Sequence, residues 1–404
     1  MRLQILPDER FSCRSCTDCC RRWYVELFDG EAEKIEKLSW PAGDPLRDRK
    51  GLIRHGGKTY LVHESDGACV FLNRGNNLCR IHEQFGVEAK PMACRLYPFQ
   101  MAPTFAGELS VTARYDCPTV RKNQGDAHTQ ALGLLEQYAK KGAEARGFDE
   151  ATRCHLERDQ IAAVAEFVST LIGGFSRNEQ RAMFILYLCD VLALTAADEL
   201  DREALASVFG PMKADIEAPA KPAGRPGLIH RIAFRTLLAQ HLRRDEDILD
   251  RRAGRLRRLI SMAAFVCGFG GFRGLGVHHP AGSLRRARLF KGEARPSVET
   301  CQLLWRLVRN KLDSFQFMGQ ANGERDFLTG LRSLALLYPL VLAAARHHAA
   351  SRASANVEAQ DMDYAVPAIE HSFGRSAVMG FSSMRSLEKL LLDRKSFGRL
   401  IQTL

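Results

Sequence analysis

At 404 residues, with 46% apolar and 26% charged residues, the chain is long enough for two or three packed domains and lacks the composition of a disordered protein. Its formal charge of +11 is regional, because residues 225–295 hold 16 Lys and Arg against 5 Asp and Glu, an excess equal to that of the whole chain. The first ten residues reach charged side chains without the apolar core of a signal peptide, and the most apolar stretch, Leu334 to Ala345, is interrupted by Pro339 and falls short of the roughly 20 residues that a membrane-spanning helix needs. A cytoplasmic protein without a transmembrane segment is expected.

Cysteine dominates the front of the chain. Eight of the twelve cysteines precede residue 120, and Cys13, Cys16, Cys19 and Cys20 form a C-x2-C-x2-C-C run. Thiolates at this spacing can turn onto one centre within a loop, whereas disulfides between such close neighbours are strained. In a reducing compartment, clustered cysteines hold metal or perform redox chemistry more often than they form structural disulfides. Cys69, Cys79, Cys94 and Cys117 lie in short segments rich in Gly, Asn and Pro, where the chain can bend back. Eight ligands fill two four-coordinate centres, or one centre with structural thiols beside it.

The first 125 residues read as a compact α+β unit of short pieces. Trp23 to Leu27 has strand composition, and Asp29 is placed to cap a helix through Glu31, Ile35 and Leu38 that Trp40-Pro41 ends. Lys58 to His63, Ala68 to Leu72 and Leu109 to Tyr115 are further strand candidates, with a turn at Arg74 to Asn77 before Cys79. A small sheet with helices on one side and thiols in the loops is expected. Beyond about residue 127 the pattern becomes helical, over Gln160–Leu171, Glu179–Ala197, Leu228–Leu242 and Val298–Leu312, with amphipathic stretches through Met362 to Phe373 and Leu387 to Leu391. Pro and Gly accumulate in 211–227, which reads as a linker or surface loop. The fold class is therefore α+β: a cysteine-rich metal-binding domain over 1–125, then all-helical regions at 126–210 and 228–404.

Five separated segments, Phe11 to Cys20, Cys69 to Leu72, Cys79-Arg80-Ile81-His82, Pro91 to Phe99 and Cys117, resemble in order and spacing the bacterial cysteine-cluster family with the CxxCxxCC motif, proposed zinc or iron chelators. That family includes the flagellin lysine-N-methylases. The resemblance covers about residues 11–120 and implies a bound metal or iron-sulfur cluster, with Cys13, Cys16, Cys19, Cys20, Cys69, Cys79, Cys94 and Cys117 as ligands. Three thiolates at C-x2-C-x2-C spacing plus a distant Cys117-Pro118 resemble the ferredoxin supply of a [4Fe-4S] cluster, which is favoured, and zinc in closed tetrahedral sites is the alternative. The C-x3-C-x2-C spacing of radical S-adenosylmethionine enzymes is absent.

Weaker signals accompany this one. His82 follows Cys79 by three residues and reads as a surface or supporting residue rather than a ligand. Arg95, Tyr97 and Phe99 either line a pocket beside the cluster, with Arg95 donating to sulfur, or pack it against the sheet, which is the expected role. Gly268 to Gly276 invites a nucleotide-loop reading, but G-x-G-x-x-G needs glycine where Arg273 stands; it is nonetheless the most permissive backbone for S-adenosylmethionine. The pairs His278-His279 and His347-His348 point about 100° apart on a helix and cannot chelate as pairs. Cys154, Cys189, Cys267 and Cys301 sit among apolar helical residues and are expected in the core. Arg251 to Arg258 lacks interleaved aromatics, so nucleic acid is not the expected partner. The leading expectation is a metal-binding protein whose helical part recognises a protein partner; a protein lysine N-methyltransferase and a redox or electron-transfer module are the alternatives.

Overall fold

The structure is a computed structural model that describes residues 2–6, 8–105, 107–141, 156–195, 200–218, 224–242, 252–267, 271–273, 283–285 and 295–404. In the front unit, β1 (Arg2–Ile5) pairs in parallel with β6 (Glu108–Ala113), whose other edge carries β5 (Phe99–Pro103) antiparallel. Alternate residues of β6 face opposite ways, as the strand period requires. Val111 is fully buried with Met92, Leu96 and Leu135, whereas the Ser110 carbonyl accepts from Gln316 Nε2 at 3.2 Å and Thr112 Oγ1 donates to Gln316 Oε1 at 2.8 Å. One face thus meets the short helices α4 (Met92–Leu96) and α6 (Leu132–Lys141), and the other meets the helical half.

The remaining front elements are small. Strands β3 (Leu52–His55) and β4 (Lys58–Leu61) form a hairpin through Gly56 and Gly57, both at positive φ (58° and 80°), the conformation that a two-residue turn demands and glycine permits. The strand expected at Trp23–Leu27 is reduced to a bridge between Glu26 and Tyr60, flanked by Leu27 N to Thr59 O (2.9 Å) and Leu61 N to Val25 O (3.0 Å). Ala68–Leu72 is not a strand. It is reduced to isolated bridges, Cys69 with His63 and Leu72 with Cys79, because after Val70 N donates to Val62 O at 2.9 Å the chain turns back and Leu72 N donates to Cys69 O at 2.9 Å. Helix α2 (Glu31–Glu36) is entered from Gly30 at φ 76°, not capped by Asp29; Glu31 holds the entry by accepting from Phe28 N at 3.0 Å.

The helical half is built of α7 (Arg158–Leu171), α8 (Asn178–Leu192), α9 (Arg202–Glu217), α10 (Leu228–His241), α11 (Arg252–Cys267), α12 (Gln302–Asp313), α13 (Phe327–Ser351), α14 (Ala359–Glu370), α15 (Ser382–Leu391) and α16 (Arg394–Thr403). The expected interruption at Pro339 does not occur. Helix α13 runs 25 residues straight through it, because nearly every side chain along it is buried and packing outweighs one lost backbone hydrogen bond. By length and composition α13 could cross a membrane, yet its most apolar window is 83% buried inside the protein, where α8 and α14 cover it. A Cβ at Gly330 would collide with the Phe317 carbonyl oxygen, so Gly330 sets how closely α13 approaches that loop.

Helix α9 likewise continues through Pro211 to Glu217, with Leu205 and Met212 each 2% exposed, so the expected linker starts inside a helix. Residues 219–223 of that segment lie outside the described residues. The boundary expected at 125 is crossed by shared core: Phe105, Ala113, Tyr115, Cys117 and Val120 belong to the same buried cluster as α7, α8, α12 and α13.

The junction of α13 and α14 carries a pH dependence. Burial alone would raise the Asp361 pKa, but Arg352 (Nη2 at 2.8 Å), the Glu358 amide (2.8 Å) and His348 Nδ1 (2.6 Å) hold the carboxyl below its ordinary range. A depressed carboxylate pKa stabilises the fold above the unfolded value of about 3.9, and that contribution disappears as pH falls through the lower folded value. Unfolding midpoints measured between pH 6 and about pH 3 should fall with acid, and Asp361→Asn should flatten that fall while lowering the midpoint at pH 6.

Candidate metal centre

The first cysteine loop is shaped by two residues in an uncommon conformation. Ser15 and Thr17 have φ of 51° and 65°, left-handed values that cost non-glycine residues about 1 kcal/mol or more each. They flank Cys16 and reverse the chain on either side of it, before α1 (Asp18–Arg22) presents Cys19 and Cys20. The base of the loop is pinned to distant sequence. Strand β2 (Arg10–Phe11) pairs with β7 (Asp126–Ala127), Arg10 N donates to Asn123 Oδ1 at 2.8 Å, and Ser12 Oγ donates to Asp126 Oδ2 at 2.7 Å. Gly125, at φ 111°, lies against Ser12 so closely that a Cβ would strike its amide. This pinning brings Cys16 near Cys117, which precedes α5 (Pro118–Arg121), with Cys13 next to Cys16.

The later cysteines gather on the other side. Cys69 N donates to Cys20 O at 2.7 Å, Leu72 bridges to Cys79, and Arg80 N donates to Phe71 O at 2.8 Å. Cys79 opens α3 (Arg80–Phe85) without using its thiol as a cap, and Cys94 lies within α4. Cys69, Cys79 and Cys94 all pack against one small core of Val25, Ile35, Leu46, Leu61, Val70, Phe71 and Ile81.

Electrostatics give the same neighbours. Burial pushes the Cys69 thiol up, and Cys94, Cys79 and Cys19 push it further. Cys94 is likewise raised by burial and by Cys79 and Cys19, against the opposing pull of Lys90. Cys19 is raised by its contact with Cys20, whose sulfur is 3.9 Å away, and then by burial. On the first side, burial raises Cys16, with Cys19 and Cys13 adding to it, and burial raises Cys117, with Cys16 adding. By these influences the thiols fall into two sets linked through Cys19 and Cys20, with Cys69, Cys79 and Cys94 acting with Cys19 and with Cys13 and Cys117 acting with Cys16.

All eight are free thiols, and among the described residues no three or more His, Cys, Asp or Glu side chains are grouped closely enough to hold a metal ion as they stand. The donor chemistry nevertheless fits a soft cation. Burial and neighbouring sulfurs disfavour the thiolates of Cys16, Cys19, Cys69, Cys94 and Cys117, and a metal ion among them reverses both effects. A sulfur tetrahedron with metal–sulfur bonds of about 2.3 Å has edges of about 3.8 Å, which the Cys19 to Cys20 spacing of 3.9 Å matches.

The other expected site residues separate cleanly. His82 is exposed on α3. Arg95 Nη2 pairs with Glu88 at 2.7 Å, and its buried Nε bonds to no sulfur. Tyr97 packs on Trp23 at 5.6 Å, and Phe99 meets Phe11 and His128 edge-on at 5.8 and 5.0 Å. Lys90 was not singled out from the sequence; its adjacency to Pro91 and the Cys94 segment was the available signal. Cys189 and Cys301 are buried in the helical core, but Cys267 is exposed at the last position of α11, two residues beyond the buried Phe265; Cys154 lies outside the described residues. Gly271–Arg273 forms a strand paired with Ser283–Arg285, and the rest of the glycine segment and His278-His279 lie outside the described residues. His347 is buried in α13 and His348 serves Asp361.

Residues 12–131 match the family model CxxCxxCC, described as "Putative zinc- or iron-chelating domain", and the match spans all eight cysteines. The front unit is similar to that domain over its whole cysteine-bearing length. An uncharacterized protein of Methanocaldococcus jannaschii is 28% identical over 116 residues, which is 28% of this chain and 38% of that relative. The chain thus covers well under half the length of that curated relative. No solved structure matches the chain. Metal binding is supported for the CxxCxxCC domain, and the helices beyond residue 131 fall outside the matched family segment.

Proposed function

We propose that the protein is a cytoplasmic metal-binding protein in which Cys13, Cys16, Cys19, Cys20, Cys69, Cys79, Cys94 and Cys117 hold an iron-sulfur cluster or zinc, and whose helical half engages a protein partner. The observation that carries the reading is the convergence of cysteines from five separate segments onto two adjoining groups, in a unit with few other means of organising its loops. The bound group would supply charge neutralisation and, if iron-sulfur, a reversible electron. The chain's own part is to position the sulfurs: Ser15 and Thr17 turn the first loop, the Ser12–Asp126 contact anchors it, and Lys90 offsets thiolate charge at Cys19 and Cys94. A [4Fe-4S] cluster is favoured by the three closely spaced thiols with Cys117-Pro118 at a distance. Redox transfer, and methyl transfer to a protein lysine with S-adenosylmethionine, are the finer alternatives that the family resemblance raises.

Metal and acid-labile sulfide analysis of protein purified without oxygen tests this. Iron with equimolar sulfide and absorbance near about 400 nm is the expected result; zinc without sulfide would make the domain a structural scaffold, and neither metal would remove the reading. Cys16→Ser and Cys19→Ser should each lose metal, while Cys189→Ser, in the helical core, should leave the content unchanged.

A further inference from the structure

Cys117 differs from the other seven cysteines in lying within the core shared with the helical half, where it is 5% exposed. Contacts from two helices hold the chain on both sides of it. Before it, the Tyr115 hydroxyl accepts from Arg306 Nε (3.0 Å) and Asn310 Nδ2 (2.8 Å) of α12. Asp116 Oδ2 meets His371 Nδ1, at the end of α14, at 3.0 Å. After it, Arg306 Nη2 donates to Val120 O at 2.5 Å. Arg121 completes the arrangement. Its side chain, 6% exposed, donates to the Tyr115 and Asp116 carbonyls at 2.8 and 3.0 Å, closing the loop around Cys117, and reaches Asp363 of α14 with Nε at 2.7 Å and Nη2 at 3.3 Å.

We propose that Arg121 is a positioning residue for Cys117 and that, through its pairing with Asp363, metal occupancy of the front domain and docking of α14 favour one another, so that the helical half reads the state of the metal site. This rests on the metal-binding reading above. The physical ground is that a ligand loop fixed by a guanidinium fork cannot shift without disturbing the helix that the same fork grips, and that residues orienting a metal ligand typically contribute 10- to 100-fold to affinity. Coupling between two sites is reciprocal, so the effect must appear from both ends.

The experiment uses the full chain with zinc as the probe, titrated against a competing chelator, and amide hydrogen exchange over residues 359–376. Asp363 is half exposed, so Asp363→Asn breaks the pair without opening the core. It should weaken zinc binding about tenfold, Asp363→Glu should restore it, and chelation of the wild type should raise exchange in 359–376 by a comparable factor. Zinc affinity unchanged in Asp363→Asn, or exchange in 359–376 indifferent to chelation, overturns the coupling while leaving metal binding intact. A wild-type chain that binds neither zinc nor iron would remove the metal reading itself, and the coupling with it.

Discussion

Treatment of the metal-loaded protein with a strong chelator is expected to unfold the region from Cys13 to about Tyr97 while leaving the helical half standing. The asymmetry follows from how the two parts are built. The region that carries Cys69, Cys79 and Cys94 rests on one small core of Val25, Ile35, Leu46, Leu61, Val70, Phe71 and Ile81, with a single hairpin and helices of five or six residues. Such a unit buries too little apolar surface to offset the ordering of its loops, which is why small domains of this kind depend on metals or disulfides. Structural zinc supplies about 10–16 kcal/mol of apparent folding energy in comparable small domains. The helices instead share a continuous core, in which α13 alone contributes Leu331, Leu334, Leu337, Leu340 and Val341 at 1% exposure or less. Hydrogen exchange and limited proteolysis after chelation should show loss of protection before Tyr97 with persistent protection in α8, α12 and α13. Uniform protection in the presence and absence of chelator would show that the thiols do not hold the fold together.

How far the sequence disclosed this arrangement depended on how local each signal is. The C-x2-C-x2-C-C run needs only a loop of eight residues, so its clustering could be read directly. The longer helices could be read as well, since apolar residues recur every three or four positions over three turns or more. The parallel pairing of Arg2–Ile5 with Glu108–Val111 could not, because strands of four residues carry almost no periodic signal and their partners lie about a hundred positions away. Pro339 misled for a related reason: its local cost is legible, whereas the packing from α8 and α14 that overrides it is not. The same holds at the site. All eight cysteines were visible as candidates, but the division into two groups depends on the β2–β7 pairing that pins the first loop. The Arg121 fork spans 242 positions to Asp363, and neither residue stands out from its own neighbourhood.

Glu388→Ala should cost about 3–5 kcal/mol, the largest single-residue effect expected outside the cysteines. Glu388 and Arg325 are 4% and 2% exposed, and Arg325 Nη2 meets both carboxylate oxygens at 2.7 Å. Truncating the acid leaves a guanidinium buried without its counter-charge, and that uncompensated charge, more than the lost contact, sets the magnitude. The damage should also spread along the chain. Arg325 Nη1 donates to the Asn322 carbonyl at 2.7 Å, and Asn322 Nδ2 in turn binds the Phe317 carbonyl at 2.5 Å and Ser333 Oγ at 2.9 Å, so the turn that leads into α13 is braced by the same arginine. Denaturant titration should show a lower midpoint, and metal content should remain at the wild-type value, because the pair contacts none of the eight cysteines. The double variant Arg325→Met with Glu388→Leu separates the two contributions to the cost. If the buried charge is what matters, the apolar pair should recover most of the loss, making the two substitutions strongly non-additive. If the pair instead matters for the shape of the turn, the double variant should be at least as unstable as Glu388→Ala alone.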